Sequence, residues 1–229
     1  MVDFSNSRSK TIIFDLEMYY PNDQKDCRGG SLDFNPDEEG NFIIGGVFAA
    51  FSIEQVTEMN FGSNLDYRHF WCETEEGEKK VLEDIYDFIG QAWGSIDKKD
   101  PKEADLTLCG VGTSRVDLPS LYIRCLKNQI DSPSKLFSTF FKAKMVDLSD
   151  VGIPLVGRNR RVLHPITKWD LAKMFGMAMT TDITFDVRNS FEQKRFDEIK
   201  KRTEIEVKQI AQCYWYLSKY ALTAKNPWW

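Results

Sequence analysis

Asp15 and Glu17 stand two residues apart at the end of the apolar, β-branched run Thr11–Leu16. In an extended strand that spacing puts both carboxylates on one face, with Phe14 and Leu16 on the other. Carboxylates so close repel each other, so they stand either in water at a strand end or around a cation. A third carboxylate, Asp117, follows the buried-type segment Leu106–Val111 and the small residues Gly110, Gly112 and Ser114. It is suited to two uses, capping a helix start or joining a ligand set, and the small residues ahead of it let another backbone approach closely. A fourth, Glu206, lies on the last helical segment. Its apolar stripe Ile210, Cys213, Leu217 and Tyr220, extended backwards at the same spacing, reaches Glu206 and Arg202. A carboxylate that continues an apolar face is costly unless it is paired or binds metal. The alternative is a solvated Arg202–Glu206 pair at i, i+4. The chemistry within reach of such a set is the binding of divalent cations by hard oxygen ligands.

The elements that must hold these residues show in the patterning. Thr11–Leu16, Asn41–Ser52 with its glycine pair, and the aromatic Asp66–Glu73 are expected as three successive strands. Between the first two, Tyr20–Gly40 is rich in Asn, Asp, Pro and Gly and is expected as a long loop beside the first strand end. Glu78–Trp93 places Val81, Leu82, Ile85, Phe88, Ile89 and Trp93 at helical spacing. Leu106–Val111 is expected as a strand, Asp117–Ile130 as a helix with Pro119 in its first turn, and Phe140–Leu148 as a further short strand. A helix over Lys168–Phe175, stopped by Gly176, and a long final helix from about Phe191 to Ala221 complete the order. The resulting β-β-β-α-β-α-β-α-α succession suits a mixed sheet with flanking helices. With no repeat or low-complexity linker, the expectation is one domain over residues 1–229.

Composition narrows the setting. Among 229 residues, 42% are hydrophobic and 28% charged, which excludes a disordered chain. No apolar run reaches the roughly 18–20 residues that span a bilayer, and Met1–Lys10 is polar, so no membrane partner and a cytoplasmic location are expected. Five cysteines, with no C-x-x-C pair, read as reduced thiols rather than a disulfide framework or a zinc site. A net charge of −5 argues against holding duplex nucleic acid through a broad basic surface. It is compatible with carboxylates gathered around metal ions, which supply their own positive field. His69 sits in an aromatic strand and reads as structural, and His164 adjoins Pro165 beyond the basic Arg158-Asn159-Arg160-Arg161 cluster, which is either a phosphate contact or a solvated loop. The aromatic tail Tyr214, Trp215, Tyr216, Trp228 and Trp229 reads as packing.

Three segments, in order, resemble a known family. Phe14-Asp15-Leu16-Glu17, Val116-Asp117-Leu118-Pro119 after a glycine-containing strand, and Phe191 to Trp215 are similar to the three motifs of the DEDD (DnaQ-like) 3'-5' exonuclease superfamily. Val146-Asp147-Leu148 and Trp169 to Gly176 also resemble its strand and helix between the last two motifs. The chain looks closest to the branch similar to the exonuclease domain of family B polymerases. The resemblance implies an RNase H-like α/β fold, a mixed five-stranded sheet with flanking helices. It implies Asp15, Glu17, Asp117 and Glu206 as ligands of two divalent metal ions, magnesium or manganese. The activity it implies is hydrolysis of single-stranded DNA or RNA 3' ends to nucleoside 5'-monophosphates. The chain departs from the family twice: Glu206 stands where the family carries Asp, and Arg202 stands at the position of a water-orienting Tyr. A cation there is suited to stabilising charge on a reacting phosphate. The alternatives are a catalytically degenerate module that binds nucleic acid or a protein partner, and an unrelated metal-dependent hydrolase using Asp15 and Glu17 on small substrates.

Overall fold

The first strand is buried along most of its length, its side chains turning alternately to two faces, and it organises the molecule. The computed structural model of the chain describes residues 9–21, 34–52, 65–96, 105–151, 167–177 and 185–223. Strands β1 (Ser9–Tyr19), β2 (Phe42–Ser52), β3 (Asp66–Trp71), β4 (Asp105–Gly110) and β5 (Lys144–Asp147) form one sheet in the order β3-β2-β1-β4-β5. The β1–β2 and β2–β3 pairs are antiparallel, and β1–β4 and β4–β5 are parallel. This is the expected mixed five-stranded RNase H-like sheet, with β1 at its centre.

Helices cover both faces. On one, α1 (Glu78–Gly94), α2 (Leu118–Lys127) and α3 (Pro133–Phe141) join Ile12, Phe14 and Leu16 of β1 in the larger core. Phe14 and Phe48 stack there with ring centroids 5.0 Å apart. On the other, α7 (Phe196–Thr223) lays Val207, Ile210, Ala211 and Cys213 against Ile13, Val47 and Cys109, and Leu171 joins them. Leu171 belongs to α5 (Lys168–Met174), and the short helices α4 (Leu148–Val151) and α6 (Val187–Glu192) complete the set. Among the described residues no helix is long and apolar enough to cross a membrane. Cys72, Cys109, Cys125 and Cys213 are free and buried.

Several boundaries differ from expectation, each for a local reason. The strand expected over Phe140–Leu148 is shorter, because Phe140 packs with Leu136 at i, i+4 in α3, and only Lys144–Asp147 pairs with β4. The helix expected over Asp117–Ile130 begins with a wide π-helical turn at Thr113–Asp117 and ends before Gln129, whose φ of 56° breaks it. The final helix begins at Phe196, because Lys194 at φ 59° separates it from α6, which holds Phe191. The strand expected over Asp66–Glu73 ends at Trp71. Gly176, at φ 66°, follows α5 as the stop the sequence indicates. Much of the Tyr20–Gly40 loop, with Cys27, the Arg158–Arg161 cluster, His164, Trp228 and Trp229, lies outside the described residues.

Candidate metal centre

Because Ile12, Phe14 and Leu16 fill the larger core, Asp15 and Glu17 project with Ile13 toward α7. They are not solvated: Asp15 is 4% exposed and Glu17 7%. The register with β2 shifts between Glu17 and Met18, a bulge of the kind that re-aims a strand end. Opposite Glu17 stands Gly45, whose φ of 150° and position suit glycine, since a Cβ there would lie 2.0 Å from the Phe70 carbonyl oxygen.

The segment after β4 brings in Asp117. Gly112, at φ 81°, opens the wide turn, and Asp147 at the end of β5 holds it. Asp147 Oδ1 accepts from the Gly112 amide at 3.0 Å, and Oδ2 accepts from the Ser114 amide at 2.8 Å and hydroxyl at 2.7 Å. Ser149 donates its amide and hydroxyl to Oδ1 as well. Burial raises the Asp147 carboxyl, but these hydrogen bonds outweigh it and leave it below the usual carboxylate range. Asp117 itself makes no capping bond, although it precedes α2. It is 6% exposed and accepts a hydrogen bond from the Thr113 hydroxyl at 3.4 Å. The helix-cap use open to it in the sequence is therefore not the one adopted.

Helix α7 supplies Glu206, 3% exposed, from the buried stripe that continues through Val207 and Ile210. The Arg202–Glu206 pair is present, with Nη2 to Oε1 at 2.7 Å, but the carboxylate is inside the protein rather than in water. Arg202 also reaches Glu17 Oε1, with Nη1 at 3.3 Å, and its guanidinium lies 5.0 Å from the Phe185 ring centroid. Thr203 donates its hydroxyl to Glu17 Oε1 at 2.8 Å.

Two residues here escaped the sequence reading. Lys168, the first residue of α5, donates from Nζ to Asp15 Oδ2 at 2.5 Å and to Glu206 Oε2 at 2.7 Å. Thr203 fixes the Glu17 carboxylate. The signal for Lys168 is its position: a cation in a first helical turn opposes the helix dipole, so it needs a nearby anion to favour it. Thr203 had a weaker signal, a polar residue one helical turn before Val207 on the buried stripe. His69 is held by Glu204, with Nε2 to Oε2 at 3.2 Å, consistent with a structural use.

Burial dominates the electrostatics. It raises the Asp15 carboxyl well above its ordinary value; Lys168 offsets part of this, and Glu206, Glu17 and Asp117 add to it. It raises Glu17 too, against the pull of Arg202 and the Thr203 hydrogen bond. Asp117 is pushed up to about 7, chiefly by burial, with Lys168 opposing and Asp147 and Glu17 adding. Glu206 runs the other way, because Lys168 and Arg202 outweigh its burial and hold it low. Lys168, despite burial, is raised by Asp15, Glu206 and Glu17 and remains an ammonium ion.

One carboxylate oxygen from each of Asp15, Glu17 and Glu206 lies within 4.8 Å of the others. Oxygens bound to one hard cation at about 2.1–2.5 Å stand no farther apart than roughly 4–5 Å, so this donor set fits one divalent ion. Asp117 stands outside that trio, at the neighbouring turn.

No family model and no curated protein sequence matches the chain. Solved structures do. The family B DNA polymerase of the hyperthermophilic archaeon Pyrobaculum calidifontis matches with a TM-score of 0.55 at 13% identity, over 93% of this chain and 24% of the polymerase. E. coli Exonuclease I, solved in complex with a dT13 oligonucleotide, matches with a TM-score of 0.50 at 11% identity, over 95% of this chain and 44% of that protein. The chain spans less than half the length of either. At these identities the likeness is one of fold alone, and the chain is an RNase H-like α/β protein with an acidic cluster suited to metal.

Proposed function

We propose that the protein is a metal-dependent 3'-5' exonuclease that acts on single-stranded DNA or RNA 3' ends and releases nucleoside 5'-monophosphates. The observation that carries this reading is the meeting of Asp15, Glu17 and Glu206 as buried carboxylates on an exonuclease-like fold. Buried anions in excess of their partners are costly, and a fold retains them where a cation is to be held. The proposed ligand set is Asp15, Glu17 and Glu206, with Asp117 as the fourth carboxylate at its edge. The resemblance implies two ions, magnesium or manganese; the convergent trio supports one.

A divalent ion in this trio would supply positive charge to the scissile phosphate and acidity to water. The chain's own residues do the positioning. Thr203 orients Glu17, Asp147 fixes the turn that carries Asp117, and Arg202 presents a guanidinium for a phosphate oxygen. Hydrolysis forms a bond from water oxygen to phosphorus and breaks the bond from phosphorus to the 3' oxygen of the preceding nucleotide, which takes up a proton. A frayed single strand suits a site framed by a strand end, a turn and a helix, with binding expected to depend on stacking as well as charge. The domain is proposed as one unit over residues 1–229, and the cytoplasm as its setting, in keeping with four free buried thiols.

The ion pairs that Lys168 and Arg202 make with the carboxylates favour a second reading, a non-cleaving module of the same fold that binds nucleic acid or a protein partner. A degradation assay decides between them. Single-stranded DNA and RNA labelled at the 5' end are incubated with magnesium or manganese and wild type, Asp15→Ala or Asp117→Ala. The exonuclease reading expects a ladder that shortens from the 3' end and disappears in both variants. Intact substrate with folded wild type leaves the binding module as the account.

A further inference from the structure

Lys168 and Arg202 reach the acidic cluster from two different helices, and between them they engage one oxygen each of Asp15 and Glu17 and both oxygens of Glu206. Lys168 takes Asp15 Oδ2 and Glu206 Oε2, while Arg202 takes Glu206 Oε1 and Glu17 Oε1. Both oxygens of Glu206 are thus engaged by resident cations. Neither cation is loosely placed. Lys168 begins a helix whose start is fixed by Thr167 and Asp170, each bonding the other's backbone, and the Arg202 guanidinium lies over Phe185. Three carboxylates pair with the two cations, and Asp117 adds a fourth within electrostatic reach of Lys168, while Asp147 is satisfied by its own hydrogen bonds; the formal excess is two negative charges. One divalent ion neutralises that excess, whereas two would leave an equal positive excess in a buried site.

We propose that the centre is a single-ion site in which the Lys168 ammonium, bridging Asp15 and Glu206, stands in place of a second divalent cation, with Arg202 as its companion. The inference rests on reading the acidic cluster as a metal site. It ties together features that look unrelated in the sequence. Glu206 is one methylene longer than Asp, and both its oxygens are used to meet Lys168 on one side and Arg202 on the other. The position that carries a Tyr in the resembling family carries a cation here. The ligand is one hard divalent cation held by oxygen donors.

The test is the count of manganese ions bound by the full chain, by equilibrium dialysis and by electron paramagnetic resonance, in wild type and Lys168→Ala. The expected result is one ion in wild type, with the hyperfine sextet of an isolated ion. Lys168→Ala is expected to take up a second ion and to show the spin-coupled multiline pattern of a pair. Two coupled ions in wild type would overturn the proposal while leaving the metal-dependent nuclease reading intact. One ion in wild type with no cleavage of any 3' end would do the reverse. No ion in folded wild type overturns both. A second ion that fails to appear in folded Lys168→Ala removes Lys168 from the role, and if that variant does not fold the wild-type count decides alone.

Discussion

Two buried charge clusters lie on opposite faces of the same sheet, and they are built differently. On the larger-core side Glu78 and Arg124 form a closed structural pair. Glu78 accepts from Arg124 Nε at 2.8 Å and Nη2 at 2.5 Å, from Asn128 at 3.0 Å and from the Ile43 amide at 2.7 Å. Arg124 also donates to the Pro36 carbonyl at 3.1 Å, so one charge meets one charge and the network ties α1, α2 and β2 to the loop. On the α7 side, Asp15, Glu17 and Glu206 share two cations, and Asp117 adds a fourth carboxylate at the neighbouring turn. The first cluster is finished; the second has negative charge left over. On the proposed reading, the contrast separates a buried ion pair that holds the fold from a cluster kept for a ligand.

The largest expected effect breaks the first cluster. Arg124→Met leaves Glu78 buried without its counter-ion and should cost about 3–5 kcal/mol in urea unfolding. Manganese binding by the folded fraction should be unchanged. A cost below about 1 kcal/mol would mean that the structural pair does not behave as one.

Next comes the pH dependence of the metal-free protein. Asp117 has a folded value raised from 3.8 to about 7, so its protonated form is favoured on folding. Its contribution is fully present below pH 3.8 and is lost as pH rises through about 7, on the order of 4 kcal/mol. Asp15 and Glu17, also raised, act in the same direction. Urea unfolding in chelator from pH 4 to 8 should show this decline, and Asp117→Asn should flatten it. A wild-type stability that rises across that window would oppose the assignment of excess negative charge.

Asp147 has the opposite sign. Held low by Ser149, Ser114 and Gly112, it contributes stability above pH 3.8 that is lost as pH falls through its folded value. Asp147→Asn should cost about 2 kcal/mol at neutral pH, remove part of the acid loss and loosen the turn that carries Asp117. Retained stability with unchanged amide exchange at Gly112 and Ser114 would deny it that role. The smallest effect is expected at the surface. Glu204→Gln, which breaks the half-exposed pair with His69, should change stability by no more than about 0.5–1 kcal/mol.

Asp15, Glu17 and Glu206 were legible in the sequence because they obey a periodicity, and Asp117 because it stands between a buried strand and a helix start. The two-residue spacing places Asp15 with Glu17, and the helical stripe from Ile210 places Glu206. What the spacing left open was burial, since a strand end in water and one under a helix read alike. Lys168 carried only the signal of its helix-start position, which does not say which anion it meets, and a long side chain there also reads as solvated. The order of elements indicated a mixed sheet with flanking helices, and the motif resemblance supplied its RNase H-like form. The errors fell where a local break overrides periodicity, at Lys194 and Gln129, or where two adjacent phenylalanines continue a helix instead of entering a strand.

Thermal unfolding of chelator-treated wild type and Asp15→Asn at pH 8, with and without magnesium or manganese, tests the central claim most directly. The excess charge predicts that a divalent ion stabilises wild type, by about 2.7 kcal/mol at a hundredfold excess over its Kd. It also predicts that metal-free Asp15→Asn is more stable than metal-free wild type, and that this variant gains little from either ion. A wild type indifferent to both ions, with Asp15→Asn less stable than wild type in chelator, would show that the second cluster is as finished as the first.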